Sequence, residues 1–282
     1  MGMVESWTLR DCWEVIPRPG KSDDKYSRGV VGLRTGSEMY PGAAVLGVQG
    51  AWGAGAGLVR WVGDPDVGRL VLQRRPETVI GAGRADAWVV GSGTDPEQRT
   101  EAETAAVREL LAGDVPVVLD AGCLDLAEPD HTAPLVITPH EGEFLRLAER
   151  LNLPMGENRT ENVLRVAQHL NAVVLRKGST TRVVEPGGSG VVVTSGTPWL
   201  ATAGTGDVLA GAIGTVIAQA RAADLWRAVA TAAWLHGRAG RLASGDSLPG
   251  PNGDPMVGRP ITALAVADAL PYAVADVLAE IS

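Results

Sequence analysis

An α/β fold, with a mainly parallel central sheet and helices on both faces, is what this sequence predicts, and three observations predict it. Short apolar runs of strand length alternate along the chain with longer segments of helical period. At 282 residues and 45% hydrophobic content, the chain can bury a substantial core, and one domain spanning residues 1–282 is expected. The 36 glycines and 18 prolines fall between the apolar runs rather than in one tract, which marks turns between elements and not disorder.

Taken in order, a first strand is expected at 30–33, and a helix over 41–53 follows it with Pro41 at its start. Strands are expected at 58–62 and 87–91. A helix over 96–111 would place Pro96 at its first position, and strands follow at 115–119 and 135–138. A helix over 160–170 precedes a strand at 172–175. The runs at 182–185 and 190–194 flank Pro186, Gly187, Gly188 and Ser189, a hairpin signal that predicts an antiparallel addition to the sheet. Val208, Leu209, Ala212, Ile213, Val216 and Ile217 recur at helical spacing. So do Leu225, Ala228, Val229, Ala232, Leu235, Ala239 and Leu242, so each series should bury one helix face. A last helix over 262–281 should break near Pro271.

Composition removes several classes of function. A formal charge of −8 repels nucleic acid and anionic membranes, so any phosphate-bearing ligand must be held by local groups. No run of about 18 apolar residues occurs and the first ten residues do not read as a secretion signal, so a cytoplasmic location is expected. Cys12 and Cys123 are far apart and suit neither a disulfide framework nor a zinc site. His131, His140, His169 and His236 lack metal-ligand spacing, and the 8 tryptophans read as packing residues.

The most informative local feature is Ala203-Gly204-Thr205-Gly206-Asp207, directly before the apolar helix that begins at Val208. Glycine-rich backbone at a helix N-terminus can aim several N–H groups at one anion, with the helix dipole in support. Asp207 is then either an ordinary first-turn carboxylate that stabilises the helix or a base in phosphoryl transfer. Four other segments place glycine or polar residues just after a strand: Gly91-Ser92-Gly93-Thr94, Asp120-Ala121-Gly122, Thr138-Pro139-His140-Glu141-Gly142-Glu143, and Lys177-Gly178-Ser179-Thr180-Thr181. In a parallel sheet all of them gather on the rim where ligands bind.

Several of these segments together resemble the NAD(P)H-hydrate dehydratases. Thr138 to Phe144 is similar to that family's TPHxGEF segment. Arg176 to Thr181 resembles its LKGxxT nucleotide loop, and Thr197 to Gly211 resembles its xxxMATGGTGDVLxG signature. Gly36 to Ala44 resembles GSxxxPGAA, and Ala54 to Val59 matches xxGAGLV. The matches keep family order from about Tyr26 to Gly240. The departures are Ala203 where Gly is usual, Pro198-Trp199, and Gly91-Ser92-Gly93 where Gly-Pro-Gly is usual.

The resemblance implies a ribokinase-like three-layer sandwich in the stand-alone dehydratase format. It implies dehydration of the S-form of hydrated NADH or NADPH, driven by ADP or ATP. The hydroxyl on C6 of the reduced nicotinamide would be phosphorylated, and phosphate then eliminated. It makes Asp207 the base and gives the N–H groups of Gly204, Thr205 and Gly206 the charge on the transferring phosphoryl group. It assigns the nucleotide to Lys177, Gly178, Ser179, Thr180, Thr181 and Gly206, and the hydrated dinucleotide to Ala43, Gly93, His140 and Asp207. Mg2+ is implied on the nucleotide phosphates, with Asp120 and Glu143 as candidate contributors. A homotetramer working beside a separate epimerase is also implied.

Blander readings stand beside these. Lys177 can be a solvated strand-end lysine, and His140 can simply start a helix. The rival functions are a small-molecule kinase of the same fold, acting on a vitamin precursor or a sugar, and a catalytically silent nucleotide-binding module.

Overall fold

Apolar runs buried on both faces can satisfy their backbones only by pairing with one another, and here they pair into one sheet. The computed structural model describes residues 5–220, 224–246 and 258–280. Its strands are β1 (Val30–Arg34), β2 (Leu58–Trp61), β3 (Val79–Ile80), β4 (Ala87–Val90), β5 (Val117–Leu119), β6 (Leu135–Ile137), β7 (Val173–Arg176), β8 (Thr181–Val184) and β9 (Gly190–Val193). They lie in the order β3-β2-β1-β4-β5-β6-β7-β8-β9. Pairing is parallel from β3 through β7, and the β8–β9 hairpin adds to β7 antiparallel.

Successive side chains leave each strand on opposite faces, so two cores form. Val31, Val89, Val118 and Val136 join one core with α2 (Pro41–Gly53), α7 (Thr205–Gln219), α8 (Leu225–Ser244) and α9 (Ala263–Ala279). Val90, Leu119, Leu135 and Ile137 join the other, with α4 (Glu101–Leu111), α5 (Glu141–Arg150) and α6 (Arg159–Leu170). The result is the expected three-layer sandwich. Two further helices, α1 (Leu9–Trp13) and α3 (Pro65–Arg74), complete the set among the described residues. The N-terminal segment, which carries no sequence assignment, extends the sheet edge through Trp7 N–H to the Val192 carbonyl at 2.8 Å and Val192 N–H to the Glu5 carbonyl at 3.0 Å.

The chain order reverses between β1 and β4, because β2 and β3 lie on one side of β1 and all later strands on the other. Ligands of open α/β sheets bind at such a switch point, beyond the strand C-termini. Helix α7 crosses this point on glycine contacts: a Cβ on Gly214 would stand 2.5 Å from Val89 Cγ2 and 3.0 Å from Val31 Cγ1. Its approach to α2 is closer still. A Cβ on Gly211 would overlap the Gly47 carbonyl, and one on Gly50 would overlap the Val208 carbonyl. Gly211→Ala should therefore lower stability by about 1–3 kcal/mol despite alanine's better helix propensity. A lower urea midpoint is the readout, and an unchanged midpoint would contradict this packing.

The structure corrects two expected helix boundaries and adds elements. Helix α4 starts at Glu101 rather than at Pro96. Thr100 and Glu103 form a reciprocal capping box that fixes the start, leaving Pro96 in the preceding loop. Helix α9 runs unbroken through Pro271, which sits on its exposed side while Ala267, Leu270, Ala273 and Val277 are buried against neighbouring helices. That burial outweighs the lost proline hydrogen bond. Ile281, the expected end of this helix, is outside the described residues. Helix α3, capped by Asp64 with Pro65 at its first position, and the two-residue exposed strand β3 went unread in the sequence.

Candidate active site

Because β4 to β7 are parallel, the segments that follow them emerge on one rim. At its centre is Asp120, the last residue before the turn after β5 and fully buried. Its Oδ1 accepts from Lys177 Nζ at 2.8 Å and from Thr138 Oγ1 at 2.7 Å, and its Oδ2 accepts from Ser92 Oγ at 2.8 Å. The loops after β4, β5, β6 and β7 are thus tied to one carboxylate. Burial opposes the charge on Asp120, but Lys177 and the three hydrogen bonds hold its carboxyl below the ordinary range. Ser92, the departure from Gly-Pro-Gly, supplies one of those hydroxyls, which a proline could not.

Lys177 is not a solvated strand-end lysine. Burial disfavours its charge, yet Asp120, Glu143 and Asp207 together raise its pKa above the usual lysine value. Its backbone N–H donates to the Pro139 carbonyl at 2.9 Å. Its ammonium lies 3.9 Å from Glu143 and close to Gly206, where a Cβ would stand 3.7 Å from Nζ. Gly178 and Ser179 are exposed on the loop that leads to β8, with Thr180 and Thr181 half-buried beside them.

Across the rim, the glycine turn begins α7. Gly204 takes φ +87°, and a Cβ there would come 2.5 Å from Leu46 Cδ1, so glycine is required. Thr205 turns its hydroxyl inward to the Leu200 and Thr202 carbonyls, each at 2.9 Å, and its N–H donates to Thr202 at 3.4 Å. The N–H groups of Gly204, Gly206 and Asp207 have no hydrogen-bond partner among the described residues. They form a row of donors at a helix N-terminus, with the Asp207 N–H in place of the expected Thr205 N–H, which is turned to Thr202.

Asp207 sits above this row, and its carboxyl is pushed up to about 6, first by burial and then by the neighbouring Asp120 charge, with Lys177 pulling the other way. A carboxylate used only to stabilise a helix end would be held low. Asp207 is instead raised towards neutrality by its surroundings.

Ala43 and Gly93 meet at the switch point, where a Cβ on Gly93 would overlap that of Ala43. The Gly36 N–H donates to the Ser92 carbonyl at 2.7 Å and locks the loops after β1 and β4 together. His140 does start a helix. Its Nδ1 accepts from Gly142 N–H at 3.0 Å and Glu143 N–H at 3.3 Å, and Glu143 returns the bond to His140 N–H at 2.7 Å. This capping fixes the half-exposed ring so that its Nε2 stands 3.4 Å from Glu143 Oε1.

Among the described residues no group of three or more His, Cys, Asp or Glu side chains converges as a metal site. Asp120 spends both oxygens on Lys177, Thr138 and Ser92, and Glu143 spends its own on His140 and Lys177. Among the described residues these two candidates are thus engaged with protein partners and do not join a third such side chain.

Sequence reasoning missed His236 of α8. It is buried beside the Thr205 backbone, its Nε2 lacks a partner among the described residues, and burial lowers its pKa to about 4, so the ring is neutral at pH 7. The helical period marked Leu235 and Ala239, its neighbours on the buried face, but a single histidine in such a series carries no signal of its own. Tyr40, Arg146 and Arg150, which line a cavity beside the rim, were missed for the same reason. Cys12 and Cys123 are both buried, and burial pushes the Cys12 thiol up to about 12, so neither is a reactive thiolate.

With the glycine turn, its aspartate and the Asp120–Lys177 pair in place, comparison with known proteins becomes decisive. A model of the NAD(P)H-hydrate dehydratases matches residues 31–253. The chain belongs to this family. The bifunctional NAD(P)H-hydrate repair enzyme Nnr of Mycobacterium tuberculosis (strain ATCC 25618 / H37Rv) is 42% identical over 194 residues, which are 65% of this chain and 39% of that protein. The chain thus matches about two fifths of that relative's length. The ADP-dependent (S)-NAD(P)H-hydrate dehydratase of Bacillus subtilis is 30% identical over 201 residues, 66% of this chain and 71% of that protein.

In structure, the ADP/ATP-dependent NAD(P)H-hydrate dehydratase from Bacillus subtilis, co-crystallized with ATP/Mg2+, superposes with a TM-score of 0.82 at 28% identity over 98% of this chain and 99% of that one. A ribokinase-like superfamily protein from Enterococcus faecalis, at 23% identity and a TM-score of 0.80, supports the fold alone. So does a hydroxyethylthiazole kinase from Pyrococcus horikoshii at a TM-score of 0.58 and 16% identity. The likeness to that kinase is one of fold, and a fold does not by itself specify a reaction.

Proposed function

We propose that this family member is a hydro-lyase that uses ADP or ATP to dehydrate the S-form of hydrated NADH and NADPH. The observation that carries the reading is Asp207, a half-buried carboxyl pushed up to about 6 beside a row of free helix N-terminal N–H groups. Asp207 accepts the proton of the C6 hydroxyl as that oxygen bonds to the terminal phosphorus of the nucleotide and the bond to the leaving nucleotide breaks. The donors of Gly204, Gly206 and Asp207 hold the charge on the moving phosphoryl group. Elimination then breaks the C6–O bond, driven by the ring nitrogen lone pair. C5 gives up a proton to the departing phosphate, and the reduced nicotinamide is restored.

Lys177 and the loop through Gly178, Ser179, Thr180 and Thr181 face the nucleotide, with Gly206 between it and Asp207. Ala43, Gly93 and His140 face the dinucleotide. Mg2+ would be carried by the nucleotide phosphates and neutralise their charge; among the described residues no group of three or more His, Cys, Asp or Glu side chains would hold it directly. A single domain over residues 1–282, a homotetramer, a cytoplasmic location and a separate epimerase as partner belong to the same proposal. One sheet with a core on each face supports the first. For location, among the described residues no helix is long and apolar enough to cross a membrane.

The test follows reduced-nicotinamide absorbance as purified protein meets hydrated NADPH and Mg2+, with ADP, with ATP and with neither. Nucleotide-dependent recovery with phosphate release establishes the reaction and names the donor. No recovery, with a phosphorylated acceptor formed from a vitamin precursor or sugar instead, establishes the kinase. His140 separates within this assay into cap and contact. His140→Asn keeps an N-cap acceptor and should keep the melting temperature, whereas His140→Ala should cost about 1 kcal/mol. Both should raise KM for the hydrate, and an unchanged KM in His140→Asn would confine His140 to capping.

A further inference from the structure

A cavity of about 500 Å³ opens beside the rim, within the size range of small-molecule pockets. Gly93 and Glu143 line it and also belong to the rim, so it continues the site, and none of residues 177–181 lines it. The proposal below rests on the dehydratase reading and assigns a part of the substrate to this space.

The charged groups of the cavity wall are satisfied within the protein, with one exception. Asp125 is held by Arg99 at 3.0 and 2.5 Å. Arg150 pairs with Glu128 and donates to the Ala127 carbonyl at 2.6 Å. Asp95 accepts from Glu97 N–H at 3.0 Å and Gln98 Nε2 at 3.4 Å. Glu143 caps α5 and faces Lys177. Arg146, one turn along α5, is exposed and has no hydrogen bond or ion pair with any described residue. Its Nη1 lies back over the first turn of α5, 3.4 Å from where a Cβ on Gly142 would stand, and so close to His140.

A guanidinium that lines a cavity with no protein partner is matched by shape and charge to a phosphate, which it can grip with two parallel hydrogen bonds. In a chain of net charge −8, a bound phosphate needs such a local cation. The hydrated dinucleotide brings phosphate in two places remote from its reacting ring: the diphosphate bridge of both forms and the 2′-phosphate of the NADPH form. We propose that Arg146 is the phosphate-binding residue of the dinucleotide site, holding the substrate through one of these groups while its hydrated ring lies at Asp207.

Arg146→Gln tests this, because an exposed and unpartnered side chain can change without loss of the fold. KM is measured for the hydrates of NADH and NADPH and for the nucleotide donor. A charged hydrogen bond of about 1.5–3 kcal/mol corresponds to a rise in hydrate KM of about 10- to 100-fold. An equal rise for both hydrates identifies the diphosphate; a rise for the NADPH form alone identifies the 2′-phosphate. Arg146→Lys should recover part of the loss, as a point charge without the fork. Unchanged KM for both hydrates, or a rise confined to the nucleotide, overturns the proposal. Wild-type protein that fails to recover either hydrate overturns the dehydratase reading and removes the premise for Arg146 with it.

Discussion

Asp207→Asn is expected to lower nucleotide-dependent turnover by about 10²- to 10⁴-fold, the range for removal of a general base. The amide cannot take the hydroxyl proton, but it has nearly the shape of the carboxylate and leaves the glycine turn in place, so nucleotide binding should persist. The wild-type pH profile should carry the same signature. The base works ionised, so kcat/KM should fall as pH drops through about 6 and level off above it, and this limb should vanish in the variant's residual rate. Near-normal turnover in the variant would remove Asp207 from the mechanism.

Stability should move the other way. The folded-state pKa of Asp207 lies above the ordinary carboxylate value of 3.8, so the folded protein binds the proton more tightly. The stability that this binding contributes is fully present below about 3.8 and is lost as pH rises through about 6. Asp207→Asn should therefore melt at a higher temperature than wild type at pH 8, with the gap closing near pH 4. A variant that is inactive yet more stable at pH 8 would show a site maintained at the expense of the fold, whereas a less stable one would point to a structural role.

Asp120→Ala should be the most damaging substitution to the fold, at about 3 kcal/mol or more. It leaves the Lys177 ammonium, which is only 21% exposed, without its main partner and strands the Ser92 and Thr138 hydroxyls. The loops after β4, β5, β6 and β7 would lose their common tie, so turnover should fall along with the urea midpoint. Adding Lys177→Met should recover part of the midpoint, because it removes the stranded charge, and none of the activity. If the double variant were no more stable than the single one, the stranded-charge explanation would fail.

The sequence by itself determined the layers and their order. Period-2 and period-3.6 patterns are local, so every strand but β3, the hairpin direction and the faces of α7 and α8 could be read from short windows. β3 could not be read, because two exposed residues on a sheet edge leave no pattern. Pro271 misled because a proline's local cost is visible in the chain, while the burial of its helix against others is not. The glycine turn and Asp207 were equally legible, since their spacing before an apolar helix is itself the signal.

What only the tertiary structure decided is the charge state and partnership of the site. Asp120 and Lys177 are 57 positions apart, and each alone reads as a loop carboxylate or a surface lysine. The parallel sheet brings them to 2.8 Å in a buried setting, which makes a loop carboxylate the anchor of four loops. The upward shift of Asp207 has the same origin, because burial and a second carboxylate are properties of the folded surroundings and not of neighbouring residues. Arg146 stands apart in the same way: only the assembled cavity shows that the other charged side chains on its wall have partners within the protein and this one has none among the described residues.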